Sequence, residues 1–151
     1  MRTTRAERNA ERNAIVTGVQ VLLLVLLALP VRAEVVLVVA SGNPISTLPR
    51  AQVVNIFLGR IPYLNQQRVM AVDQDEGSSV RDQFYRDLLG WSPAQVKAYW
   101  SKMIFTGRGQ PPPTHGGDAD IQQFVANNPG AIGYMERSQV TAGVQVVRVL
   151  P

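Results

Sequence analysis

The apolar run Ala14 to Leu29, stopped by Pro30 and followed by Val31-Arg32-Ala33, sets how much of this chain is left to build a core. Arg2, Arg5, Arg8 and Arg12 precede it, so the order is a basic start, a short apolar stretch, a helix breaker and small residues at a cleavage site. That is the grammar of a signal peptide. It predicts cleavage after Ala33, an exported and periplasmic product, and one domain over residues 34–151. The rival reading is a retained anchor, but a spanning helix needs roughly 20 apolar residues. Pro30, Arg32 and Glu34 interrupt the run where it would have to continue, so no stable membrane anchor is expected after cleavage. The sequence has no cysteine, which excludes both a lipid-modified cysteine and a disulfide framework.

Removing residues 1–33 leaves 118 of the 151 residues, enough to bury roughly two thirds of the unfolded surface in a single core. It also removes five of the 15 basic side chains and two of the 11 acidic ones, so the net charge falls to +1. Phosphate-backbone binding needs a clustered positive face. The remaining arginines are scattered among acids, and no nucleic-acid partner is expected.

Two periodicities alternate along this domain. Glu34 to Ala40 is a β-branched run without helical spacing, ended by Ser41-Gly42-Asn43-Pro44, and reads as a buried strand. A helix follows Pro49, with Val53, Ile56 and Phe57 on one face and Gly59 as its stop. Val69 to Val72 reads as the next strand. The helix opening at Ser78 carries Val80, Phe84 and Leu88, and ends at Gly90. Ser92-Pro93-Ala94-Gln95 spells a capping box with proline at the first helical position. Its helix sets Val96, Tyr99, Trp100, Met103 and Ile104 on one stripe, so the aromatic pair is expected in the core. Asp118 or Asp120 can cap a further helix bearing Ile121, Phe124 and Val125, stopped by Asn128-Pro129-Gly130. Ala131 to Tyr134 and Val144 to Val149 close the chain as strands. Strands separated by helices predict an α/β sheet covered on its faces.

Few residues offer chemistry. His115, the sole histidine, stands in the loop "GRGQPPPTHGG" (residues 107–117) without a nucleophile elbow or a cysteine to serve, and reads as an exposed loop residue. No enzyme activity and no cofactor are expected. Asp73, Asp75 and Glu76 suggest a calcium loop, yet the glycine and glutamate such a loop needs at its sixth and twelfth places are Ser78 and Phe84. A solvated acidic turn is the expectation, with no metal. The remaining candidate is "DEGSSVRDQF" (residues 75–84). A helix starting there points free backbone N–H groups and its positive dipole end outward beside the hydroxyls of Ser78 and Ser79, which suits an oxyanion, and Arg81 could add a charge-assisted contact. The alternative is plain capping, with Asp82 completing a near capping box on Ser79 and Asp75 and Glu76 standing where the anion's charge would be.

Four segments occur in an order seen in one family: "ISTLPRAQVVNIFLGR" (residues 45–60), "DQDEGSSVRDQFYRDLLG" (73–90), "AYWSKMIFTGRGQPP" (98–112) and "NNPGAIGYM" (127–135). The chain resembles the substrate-binding proteins of phosphate ABC transporters, in particular short, stand-alone members of the periplasmic-binding-protein type II group. The resemblance spans Val35 to Val149. It implies an α/β fold forming a single lobe of that type, a small mixed sheet with helices on its faces.

It also implies a small phosphate-like anion as ligand, bound at Gly77, Ser78, Ser79 and Arg81, and an ABC transporter permease or another envelope protein as partner. In the full-length binders the glycine-serine turn is written with serine, glycine and threonine behind an arginine. Here Gly77 and Ser78 match that turn, while Ser79 stands for the glycine, Val80 for the threonine and Gln74 for the arginine. Valine donates no hydroxyl, and an arginine contact to an anion is worth roughly 1.5–3 kcal/mol. The same resemblance therefore allows a ligand-free interaction module of the cell envelope built on this fold.

Overall fold

The computed structural model describes residues 33–151. The expected signal peptide lies outside the described residues except for Ala33. Chemistry places the first strand at the centre. β1 (Val35–Ala40) is the all-apolar VVLVVA, too short for a helix and wanting cover on both faces, as strands buried on both sides do. It lies between β6 (Ala131–Glu136) and β7 (Val144–Leu150) and runs antiparallel to both. β2 (Thr47–Pro49) pairs parallel with β7 at one edge, and β5 (Met70–Ala71) pairs parallel with β6 at the other. The result is a mixed five-stranded sheet in the order β2-β7-β1-β6-β5.

Alternate residues of β1 feed two cores. Leu37 and Val39 face a cluster built by α1 (Arg50–Phe57), α2 (Ser79–Leu89) and α3 (Pro93–Phe105), in which Phe57, Phe84, Tyr85, Trp100 and Tyr134 are buried. Val36 and Val38, beside Met135 of β6, face Ile121 and Val125 of α4 (Asp118–Asn127). The α4 side is packed so closely that a Cβ on Gly133 would stand 2.8 Å from the Ile121 side chain. On the larger side the rings of Phe84 and Tyr134 stack at 3.8 Å, with Phe57 edge-on to Phe84 at 4.7 Å.

The helix ends follow the expected chemistry except at two starts: the capping alternative on Ser79 with Asp82 does not form, and the cap of α4 differs. Ser78 caps α2 by accepting from the Arg81 N–H, and Gly90, left-handed at φ +71°, stops it. Ser92 and Gln95 form the reciprocal capping box of α3. Neither Asp118 nor Asp120 is the cap of α4. That place is taken by Gly117, whose N–H donates to Asp120 Oδ2 at 3.2 Å, and Asp118 is left free for other work. A hairpin without a glycine signal in the sequence follows α1: β3 (Tyr63–Leu64) and β4 (Gln67–Arg68), joined by Asn65 and Gln66 at φ +46° and +67°. Both dihedrals belong to a two-residue type I′ turn, which glycine usually announces and Gln66 does not. Ile104 is 48% and Phe105 94% exposed, so the apolar stripe of α3 runs past the core it covers.

Strand directions divide the sheet into two ends. β5 and β6 deliver Asp73, Gln74 and Glu136 to one end, where β1 begins. The opposite end gathers the start of β5, the Pro129-Gly130 turn before β6, and the Ser41–Pro44 loop that leaves β1.

Candidate functional site

The "DEGSSVRDQF" turn stands at the first of these ends, just after β5. Gly77, at φ +92°, reverses the chain into the Ser78 cap. Ser79 is exposed, Val80 half-buried, and Arg81 buried at 8% exposure. Arg81 does not turn toward the cap. Its Nε donates to Asp73 Oδ2 at 3.1 Å and its guanidinium lies over the Tyr85 ring at 5.3 Å.

Asp73 does not lie in the solvated acidic turn its neighbours suggest: it is 1% exposed and sits at the centre of a hydrogen-bond cluster. Tyr85 Oη donates to its Oδ2 at 2.9 Å, Tyr134 Oη donates to Oδ1, and the Gln74 N–H donates to Oδ1 at 2.9 Å. Its backbone is held too, since its N–H donates to Pro113 O and its carbonyl accepts from His115 N–H, both at 2.9 Å. A carboxylate buried this deeply persists only with a countercharge and satisfied lone pairs, and Arg81, the two phenols and the amide supply them. Burial, and then the adjacent negative charge, push both phenols well above their ordinary value of 10.0. Burial works against the Arg81 charge, but Asp73 more than offsets it and the guanidinium holds its proton more firmly than usual.

Gln74 closes the second half of the turn. It is 1% exposed, with Oε1 accepting from Ser78 Oγ at 2.6 Å and Nε2 donating to Asp118 Oδ1 at 2.6 Å and Tyr134 O at 3.3 Å. Ser78 Oγ therefore donates to Gln74 while it accepts from the Arg81 N–H. Of the side chains expected to meet an anion here, the Ser78 hydroxyl and the Arg81 charge are committed inside the protein, while Ser79 is exposed. Asp75 and Glu76 are exposed beside them.

His115 departs from the exposed loop residue expected of it. Its ring is partly buried and stacks on Phe124 at 4.0 Å. Among the described residues no group of three or more His, Cys, Asp or Glu side chains is placed to hold a metal ion. Among them, too, no helix is long and apolar enough to cross a membrane. The signal that could have marked Asp73 is its place: it directly follows the apolar Val69 to Val72, on a strand about to leave the sheet.

A mixed sheet with helices on both faces and a glycine-serine turn opening a helix beyond the edge strand β5 is an α/β lobe of the periplasmic-binding-protein type, and solved structures of that class share the fold. The fold is similar to an ABC-type phosphate transport receptor from Vibrio cholerae, with a TM-score of 0.61 and 20% identity over 78% of this chain and 46% of that one. It is likewise similar to a putative phosphate ABC transporter substrate-binding protein with bound phosphate from Clostridium perfringens, at 0.61 and 25% over 78% and 45%. PstS from Borrelia burgdorferi matches at 0.57 and 15% over 78% and 47%. The chain thus spans just under half the length of these proteins, whose names are those of transport receptors and binding proteins rather than enzymes. No protein-family model and no curated protein matches the sequence.

Proposed function

We propose that this protein is an exported, non-enzymatic lobe of the phosphate-binder type that acts in the periplasm through protein contacts, its anion turn closed by its own side chains. The observation that carries the reading is the pair of internal locks, Arg81 on Asp73 and Ser78 on Gln74. Freeing Arg81 for a ligand would leave Asp73 buried without its countercharge, a penalty of about 3–5 kcal/mol that a small anion at one exposed turn does not repay. In this reading residues 1–33 are a cleaved signal peptide. The partner is an envelope protein, an ABC permease being one candidate, and it meets the exposed Ile104 and Phe105 beside the loop of residues 107–117.

The second reading, solute binding for an ABC-type uptake system, is favoured by the left-handed Gly77 leading into the Ser78-capped α2. It assigns Gly77, Ser78, Ser79 and Arg81 to a phosphate-like anion. Calorimetry with inorganic phosphate and sulfate at millimolar concentration separates the two. The interaction reading expects no saturable heat that depends on Ser78. A heat that Ser78→Ala and Arg81→Ala both abolish replaces it with the solute reading. Crosslinking in envelope extract should in addition capture a partner that Phe105→Asp releases, and capture indifferent to that change counts against the contact surface.

A further inference from the structure

The opposite end of the sheet carries a cleft of about 570 Å³, between the loop leaving β1 and the end of β4, within the range usual for small-molecule sites. Its walls are held by bonds that span the sequence. Asn43 Nδ2 donates to Pro129 O at 2.8 Å, tying one wall to the other. Gln145 accepts from the Gly42 N–H at 3.2 Å and donates to Asn43 O at 2.7 Å and Ile45 O at 3.3 Å, fixing the loop to β7. On the far side the Met70 N–H donates to Gly130 O at 2.9 Å, and a Cβ on Gly130 would press to 2.9 Å from Arg68 O, so backbone meets backbone there. The shape of the cleft is therefore set before anything enters it, and binding costs little reorganisation.

The groups facing this cleft are of the opposite kind. The Ser41 hydroxyl, the Gln67 amide and the Arg68 guanidinium have no hydrogen-bond or ion-pair partner among the described residues. Arg68 is the one charged side chain among the described residues that line it, so no carboxylate competes for it. This contrasts with Arg81, whose charge is consumed by Asp73. Pro44 and Pro129 add rigid apolar surface.

We propose that this cleft binds a small organic carboxylate, its anionic group on Arg68 and Ser41, its polar body on Gln67 and its apolar part against Pro44 and Pro129. A single cation suits one carboxylate, and the volume exceeds what a bare inorganic ion fills. The site lies at the other end of the strands from the Ser78 turn and does not depend on the function proposed for that turn.

The test is calorimetry on the full-length protein with N-acetylalanine and, separately, inorganic phosphate. N-acetylalanine is expected to give saturable heat with a millimolar Kd, weakened about tenfold or more by Arg68→Gln, as loss of a charge-assisted contact implies, and unchanged by Ser78→Ala. Arg68 is exposed and its side chain holds nothing in place, so circular dichroism should show Arg68→Gln folded like the parent. Absence of saturable heat, or a heat indifferent to Arg68→Gln, overturns the proposal. Phosphate binding as tightly as N-acetylalanine through Arg68 overturns the assignment to an organic ligand. A heat lost in Ser78→Ala rather than Arg68→Gln moves the site to the turn and overturns the proposal as well.

Discussion

Three acids stand within four residues at 73, 75 and 76, and their environments could hardly differ more. Asp73 is buried against Arg81, Tyr85 and Tyr134, while Asp75 and Glu76 are exposed. Asp73→Asn should cost about 3 kcal/mol or more by leaving Arg81 buried without its countercharge, against less than about 0.5 kcal/mol for Asp75→Asn. Thermal unfolding of the two variants checks this, and equal losses would refute the buried cluster. The same cluster sets an alkaline limit. Tyr85 and Tyr134 have folded values raised above the 10.0 they have when unfolded, so what they contribute is fully present below pH 10 and drains away as pH rises beyond it. Tyrosinate absorbance followed with circular dichroism should show these two phenols ionising only as the fold is lost. Titration of all four tyrosines in a folded protein near pH 10 would contradict it.

At the scale of elements, what could be read in advance depended on whether the cause was local. The capping box at Ser92, the left-handed stop at Gly90 and the apolar run of β1 are each written in consecutive residues, and each forms as written. The cap of α4 and the β3–β4 hairpin were not legible. Gly117 caps through the side chain of Asp120 because Asp118 is drawn to Gln74 and to the Glu136 N–H, contacts 44 and 18 residues away. Asn65-Gln66 holds a left-handed turn without glycine because its flanks are held by their own pairing and by Leu64 and Val69 buried in the larger core. Helix-on-strand packing is where a single small change should tell most: Gly133→Ala puts a methyl into Ile121 and Val125, and overpacking of this kind costs about 1–3 kcal/mol. A melting temperature unchanged by Gly133→Ala would mean that α4 sits farther from β6 than described.

For the molecule as a whole, one sheet separates two cores and β1 supplies alternate side chains to both. Neither core can open without disrupting the strand that serves the other. Phe57→Ala on one face and Ile121→Ala on the other should each cost about 2–5 kcal/mol and lower one shared transition, seen alike by near-ultraviolet and far-ultraviolet circular dichroism. Two separable transitions would show the faces to be independent. The chain spans just under half the length of the proteins whose fold it shares, and the two ends of its sheet carry different chemistry. Near β5's C-terminal end Asp73, Gln74, Ser78 and Arg81 are spent on one another. At the opposite end polar groups face an open cleft.

Sequence alone determined the alternation of strands and helices, their caps, and the resemblance that predicted a single α/β lobe, because these rest on contacts between near neighbours in the chain. It also placed Gln74 where an arginine was expected. Only the tertiary structure decided what that means. Asp73, Arg81, Tyr85 and Tyr134 meet across 61 residues, as do Gln74 and Asp118 across 44, and such meetings determine which charges are consumed internally. The "DEGSSVRDQF" turn is a helix start in either view. That the Ser78 hydroxyl and the Arg81 guanidinium are already engaged follows from burial and partners, which no spacing of residues encodes.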